Sequence, residues 1–383
     1  MTDEKRKIIG QALARVVERA RGGIERTVVG LMASGSELGS TELLEGARRA
    51  QTKDPRLSVL AIGPKVQGYD DLEWLETGDC DADIAAAMEK ALNEGRIQGA
   101  VALHYPFPVG VTTIGRIVTP ARGKALLVAS TTGTSSGQAL EALVYNAIYG
   151  RAVARSLGVE EPTLGILNVS GANQTLRALN TLKDNGYPIK FGASQRADGG
   201  AILRGNDILN PSVDICLCDS LTGNVLMKLF SAWNTGGAYE ALGWGYGPSA
   251  GKGWKQVVSI ISRASGAPVV AGALSLNAMA ARGGLAAKVA EEMALAEKAG
   301  LSKVLESLVP AAVATEEVKA PPARPTEAEI HGIDVLDMEP AVQCLWKEGM
   351  YAESAMGCTG PVVKVPKDIL EAAKACLKNN NFI

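Results

Sequence analysis

The chain is poor in the residues that make metal centres. It has only two histidines, His104 and His331, in 383 residues. Its six cysteines, at 80, 216, 218, 344, 358 and 376, include no Cys-x-x-Cys pair, so no metal is expected. Aromatic residues are also scarce at 4 %, which leaves little stacking surface. Neither charge sign dominates: 39 Lys+Arg against 41 Asp+Glu gives a net charge of −2 and no basic surface for nucleic acid. No apolar run approaches the roughly 18–20 residues of a membrane span. The first residues, Met1-Thr2-Asp3-Glu4-Lys5-Arg6-Lys7, lack a signal peptide's apolar core, so a cytoplasmic protein without disulfides is expected. Two nucleotide motifs are missing as well. No Gly-x-Gly-x-x-Gly opens a helix after the first strand. In the glycine-rich stretch Gly243 to Gly253, Tyr246 stands where a Walker A loop needs its first glycine.

Glycine is plentiful, at 43 residues, and it punctuates a strand–helix alternation. A helical stripe (Ile8, Ile9, Leu13, Val16, Val17) runs from Glu4 to about Arg21. The apolar strand Thr27 to Met32 then enters the loop Ala33 to Ser40, which contains Ser34, Gly35 and Ser36, before a helix from Thr41. Strand, Gly/Ser loop and helix N-terminus together form an anion-binding arrangement, although the stretch reads equally as a capped turn. Further strands are expected at Leu57 to Ile62, Gly99 to Leu103 and Lys124 to Val128. Loops follow at His104 to Arg116, with Thr112 and Thr113, and at Ser130 to Gly137.

A second α/β unit begins after Gly158, with strands at Leu164 to Val169, Pro188 to Phe191 and Val213 to Cys218. Asp219, Thr222, Gly223 and Asn224 follow the last of these, at a strand end where small polar groups can orient a phosphate or acyl phosphate. Cys216 and Cys218, inside that apolar strand, read as buried structural thiols, and Cys376 as helical packing. Ala267 to Asn277 reads as a final strand-to-helix junction, with a helix over Ala287 to Ala299. Parallel strands with crossover helices predict doubly wound sheets, with ligands at the C-terminal strand ends. The expected architecture is α/β, with a first domain over 1–158 completed by 272–308 and a second over 159–271.

Residues 309–330 are Pro/Ala/Glu-rich and read as a semi-rigid linker. The small module 331–383 carries Ala355-Met356-Gly357-Cys358-Thr359-Gly360-Pro361. Glycines on both sides and the proline place Cys358 at the tip of a sterically bare turn, suited to a nucleophile or acyl carrier. A plain linker with a docked C-terminal piece is the alternative.

The body resembles the phosphate acyltransferase family of phospholipid synthesis and, more distantly, the phosphotransacetylases. The matching stretches are Val28 to Glu37, Gly99 to Arg116, Val213 to Lys228 and Ala267 to Gly272, of which Asp219-x-x-Thr222-Gly223-Asn224-Val225 is the most specific. Where the lipid family has Met-Gly-Gly-Asp, this chain reads Met32-Ala33-Ser34-Gly35. The whole chain, tail included, resembles the alpha (smaller) subunits of protein C of glycine, betaine and sarcosine reductase complexes.

That second resemblance implies an isocitrate/isopropylmalate-dehydrogenase-like two-domain fold and a role in anaerobic amino-acid fermentation. It implies that an acetyl unit from a carboxymethylated selenoprotein A becomes a thioester on protein C and is cleaved by phosphate to acetyl phosphate. It also implies a hetero-oligomer with a ketoacyl-synthase-III-like beta subunit. In that family the cysteine matching Cys358 is the acetyl acceptor, inorganic phosphate is a substrate, and no covalent cofactor is expected.

Chemistry agrees with such a role. A thiolate both attacks and leaves readily. Phosphorolysis needs an aligned dianion and donors for the tetrahedral oxyanion. Amides at Gly357, Thr359 and Gly360 are candidates for the donors. Ser34, Gly35, Ser36, Thr112, Thr113, Arg116, Asp219, Thr222, Gly223 and Asn224 are candidates for holding phosphate, Arg116 by bidentate bonds. His104 is a candidate for orienting phosphate or acting as a base, or else a structural histidine. Two other functions remain open: a free-standing acyl-phosphate or acetyl-CoA phosphate acyltransferase, and a non-catalytic scaffold subunit.

Overall fold

The computed structural model describes residues 26–121, 123–195, 199–308, 318–331, 333, 338–357, 360–380 and 382–383. The helix expected before Arg21, and Cys358 and Thr359, lie outside the described residues. The chain divides into two compact units at Leu308.

In the first unit, β1 (Thr27–Met32) leads to α1 (Ser40–Lys53), β2 (Leu57–Gly63), β3 (Glu73–Glu76) and α2 (Asp81–Asn93). After β4 (Gly99–Ala102) come two long strands, β5 (Val111–Val118) and β6 (Ala125–Thr134), and then α3 (Ala139–Ser156). Next are β7 (Thr163–Leu167), α4 (Ala172–Asp184), β8 (Lys190–Phe191), β9 (Ile202–Leu203), α5 (Gly205–Leu209), β10 (Ile215–Leu217) and α6 (Ser220–Ala232). The short strands β11 (Gly247–Gly251) and β12 (Val258–Ile260) precede α7 (Ala267–Arg282), α8 (Leu285–Lys298) and α9 (Leu301–Leu308).

The fold is α/β, built on one continuous sheet path, β3-β2-β1-β4-β12-β11-β5-β6-β10-β7-β8. Two parallel runs, β3-β2-β1-β4-β12 and β6-β10-β7-β8, are joined through antiparallel pairs at β12–β11, β11–β5 and β5–β6. Strands of a parallel run are covered on both faces and therefore apolar throughout; all seven residues of β2 are buried. Helices close over them at glycines. At Gly46 of α1 a Cβ would lie 2.5 Å from Val270 of α7.

Three expectations fail here. Ser130 to Gly137, read as loop, begins as strand, since β6 runs on to Thr134 in its pairing with β5. Of the loop expected over His104 to Arg116, the part from Val111 onward belongs to the largely buried strand β5, because its Val, Thr and Ile positions pair on both sides. Ala267 to Asn277, read as a strand-to-helix junction, is helical throughout, inside α7. Gly266 precedes it and Pro268 sits in its first turn, where a missing N–H costs no bond.

The α3–α8 contact holds a buried ionic cluster. Glu292, fully buried, accepts from Arg151 Nε at 2.9 Å, Arg155 Nη1 at 2.7 Å and the Tyr187 hydroxyl at 2.7 Å. Burial and the adjacent carboxylate push the Tyr187 hydroxyl well above its ordinary pKa.

The second unit has β13 (Ala328–Ile330), α10 (Met338–Lys347), β14 (Glu353–Gly357), β15 (Gly360–Val365) and α11 (Leu370–Asn379). Its antiparallel sheet, β13-β15-β14, covers a core of its own that includes Ile330, Val342, Leu345, Val363, Val365 and Leu377. The end of the Pro/Ala-rich stretch is thus a sheet strand, with Ala328 opposite Val365. Among the described residues no single helix is long and apolar enough to cross a membrane; α7 and α8 reach that length only together, bent by 59°.

Two stability predictions follow from this packing. Glu292→Ala leaves two guanidinium groups without their shared carboxylate and is expected to lower unfolding free energy by about 3–5 kcal/mol in urea titration. In α6, a Cβ at Gly223 would stand 1.7 Å from the Ser130 carbonyl oxygen. Gly223→Ala is therefore expected to cost about 3 kcal/mol in the same measurement, since the backbone must move to admit it.

Candidate functional site

The antiparallel joint turns the C-terminal ends of both parallel runs toward one cleft of about 390 Å³. Glu37 follows β1, His104 follows β4 and Arg263 follows β12. From the other run come Thr132 at the end of β6, and Asn224 and Lys228 on α6. Ligands in open α/β sheets bind at such strand ends.

The first-run loops are clipped together by backbone. The Ser36 hydroxyl (3.2 Å) and the Glu37 amide (2.8 Å) both donate to the Arg263 carbonyl. That turn is internally braced: Ala264 N donates to Ser262 Oγ at 3.1 Å, and Ser262 N to Ser265 Oγ at 3.1 Å. The Arg263 side chain is half exposed, with one guanidinium nitrogen 3.6 Å from Asp81.

The opposite wall turns on Glu240. Its carboxylate is almost fully buried, accepting from the Tyr246 hydroxyl at 2.9 Å and from Ser265 Oγ at 3.0 Å. Lys228 Nζ lies 3.5 Å from the same carboxylate and 5.6 Å from the Tyr246 ring centre. Burial, then the neighbouring Glu240, raises the Tyr246 hydroxyl far above its ordinary pKa, so it remains a donor. Glu240 thus restrains Lys228, a residue of the cleft wall, and ties the Ser265 turn to the α6 side.

Asn224 reaches the strand end, its Nδ2 donating to the Thr131 carbonyl at 3.2 Å. Of the residues singled out from sequence, the structure brings His104 and Asn224 to the cleft wall, with Ser36 bonded beside it. Ser34 is turned away, its hydroxyl donating to Asp79 at 2.6 Å, and Gly35 makes the turn at φ 90°. Asp219 is the α6 N-cap, accepting from the Thr222 amide (2.9 Å) and hydroxyl (2.6 Å). Gly223 gives α6 its close approach to β6.

Thr112, Thr113 and Arg116 are not brought to the cleft wall. Both threonines are fully buried in β5, one hydroxyl bonded to the Thr132 carbonyl (2.8 Å), the other to Thr131 Oγ1 (2.7 Å). Arg116 is on the same strand, its guanidinium 4.4 Å over the Trp244 ring, and burial lowers its pKa. In the second unit, Gly357 and Gly360 are the closing pair of the β14–β15 ladder, next to Cys358 and Thr359 outside the described residues.

Lys228, Glu240, Tyr246 and Arg263 were missed from sequence. Arg263 had a usable signal, a Ser-Arg pair directly after the apolar run Val257 to Ile261. Among the described residues, no group of three or more His, Cys, Asp or Glu gathers as a metal site.

The chain is similar to several known proteins. A family described as "Fatty acid synthesis protein" matches residues 27–364. The alpha subunit of glycine/sarcosine/betaine reductase complex component C from Peptoclostridium acidaminophilum is 44 % identical, over 100 % of both chains. A phosphate acyltransferase from Brucella suis biovar 1 (strain 1330) is 28 % identical over 175 residues, 45 % of this chain and 49 % of that one. A crystal structure of a branched-chain phosphotransacylase from Enterococcus faecalis V583 superposes with a TM-score of 0.48 at 15 % identity, covering 67 % of this chain and 99 % of that one. With a match over nearly its whole described length, and that full-length identity, the chain belongs to the fatty acid synthesis protein family, alongside the component C alpha subunit of glycine/sarcosine/betaine reductase.

Proposed function

We propose that this chain is the alpha subunit of component C in a glycine, betaine or sarcosine reductase complex, and that it forms acetyl phosphate from an acetyl thioester on Cys358. The full-length relative supports the complex, and the phosphate acyltransferase relatives support acyl transfer to phosphate. The single observation that carries the reading is the cleft itself, where Lys228, Arg263, His104 and the Asn224 amide converge at strand ends of both runs.

Two cations and two polar side chains, against the one carboxylate of Glu37 in the same wall, suit a phosphate dianion. A phosphate oxygen attacks the thioester carbonyl, forming the new C–O bond. Collapse of the tetrahedral intermediate breaks the C–S bond, and the thiolate leaves on Cys358. No net oxidation occurs in this step. His104, on the cleft wall, orients phosphate. The earlier reductive release, on the selenoprotein partner, supplies the acetyl unit, and the ketoacyl-synthase-III-like beta subunit completes component C.

One observation favours a second reading, an acyltransferase that uses a free acetyl-CoA thioester: every described residue that lines the cleft belongs to the first unit.

The two readings part on Cys358→Ala. The complex assembled with that variant is expected to form no acetyl phosphate, and mass spectrometry of the wild-type complex turning over without phosphate is expected to find acetyl on the Cys358 peptide. Retained acetyl phosphate formation from acetyl-CoA in the variant would favour the second reading. Under either reading, Arg263→Ala is expected to lower kcat/KM for phosphate by about 100-fold, as for loss of one charge-stabilising donor. Activity at the wild-type level in that variant would remove phosphate from this cleft.

A further inference from the structure

The second unit holds two facing thiols. Cys344 lies on α10 and Cys376 on α11, 32 residues apart in the chain, with their Sγ atoms 3.8 Å from one another. Both are free thiols and half-buried, so a small molecule reaches them. The other described cysteines are placed differently. Cys80 is exposed, while Cys216 and Cys218 are buried at β10.

Two sulfurs in contact need to close by only about 1.8 Å to reach an ordinary S–S bond. Both helices are anchored in one core, α10 through Ala341, Val342 and Leu345, and α11 through Ala373 and Leu377. The thiols are therefore held near each other before any bond forms, which favours their reaction with one another over reaction with a distant thiol. Burial, and then Cys344, raise the Cys376 thiol to about 11, so it rests protonated near neutral pH.

We infer that Cys344 and Cys376 are a reversible modification site, oxidised to a disulfide by a low-molecular-weight disulfide and restored by a dithiol. In the first exchange one cysteine thiolate attacks the small disulfide. A mixed disulfide forms and one small thiolate leaves, taking up the proton. The second cysteine then loses its proton, attacks the mixed disulfide and expels the other small thiol. Two electrons pass from the pair to the small disulfide, which becomes two thiols. The new bond ties α10 to α11 and closes a ring that contains β14, residue 358 and β15. A unit this small has a limited core, and a cross-link removes freedom chiefly from its unfolded chain. Oxidation thus stiffens the unit that carries Cys358 without consuming Cys358. The inference rests on the second unit alone and does not depend on the acetyl-transfer reading.

The test is titration of the full reduced chain with oxidised glutathione, continued until the exposed Cys80 is modified, and read by non-reducing peptide mass spectrometry and by hydrogen exchange. A Cys344–Cys376 bridge is expected, at least tenfold more abundant than any bridge to Cys80 or Cys358, and undone by dithiothreitol. Amide exchange in α10 and α11 is expected to slow about tenfold on oxidation. Cys376→Ser is expected to stop at a mixed disulfide on Cys344, and Cys344→Ser at one on Cys376, with α10 and α11 exchanging in both as in the reduced wild type. Modified Cys80 without a Cys344–Cys376 bridge overturns the proposal, as does equal bridging to Cys358. A bridge that leaves exchange in α10 and α11 unchanged overturns the stiffening.

Discussion

The antiparallel joint at β11 is the constraint on which the site depends. A Cβ at Gly247 would lie 1.8 Å from the Ile114 carbonyl oxygen, so only glycine lets β11 come this close to β5. Its φ of 83° adds a second reason. Beside it, the Thr131 hydroxyl donates to the Tyr246 carbonyl at 2.6 Å and accepts from the Thr113 hydroxyl at 2.7 Å. This fully buried pair of threonines locks β5, β6 and the entry to β11 into one piece. Without the reversal made here, the C-terminal ends of the two parallel runs would not line a common cleft. Thr113 therefore matters to the site through the frame and not through contact with a ligand.

Electrostatics supply the next layer. A buried carboxylate is expensive unless its oxygens are hydrogen-bonded. Glu240 meets that requirement with Tyr246 and Ser265, and then still has a charge to offer Lys228. The arrangement restrains a lysine that is otherwise more than half exposed, reducing the rotamer freedom lost when an anion binds. Arg263 is treated differently, with its backbone carbonyl fixed by Ser36 and Glu37 while its guanidinium stays accessible. One cation is preorganised through its side chain and the other through its main chain.

The α/β class was legible because buried parallel strands write themselves as apolar runs, as in Leu57 to Ile62. The joint was not. Val111 to Val118 and Gly247 to Gly251 are strands rich in Thr, Gly and Ser, and their glycines answer to neighbouring backbone, not to a turn. That pattern is indistinguishable from a ligand loop in one dimension, so Thr112 and Thr113 were read as phosphate contacts. The same confusion ran the other way at Ala267, where small apolar residues after glycine fit strand or buried helix until Pro268 is weighed. His104 and Asn224 were found because they follow strand ends. Lys228 and Glu240 meet only through a contact across eleven residues of intervening chain, which no local spacing encodes.

The helix α6 also separates two chemistries. Its first turn, with Asp219 and Ser220, lines another cleft, of about 350 Å³ beside the β6 end, and the next turns, with Asn224 and Lys228, line the cationic one. Gly223 lies between, pressed against Ser130 so closely that no side chain fits. The Asp219 carboxylate, by taking the α6 N-terminal amides for itself, makes its own cleft less hospitable to a dianion and leaves Lys228 and Arg263 on the far side as the better place for one. The two sides of a single turn of helix thus differ in charge, with a capping carboxylate on one and Lys228 and Arg263 on the other.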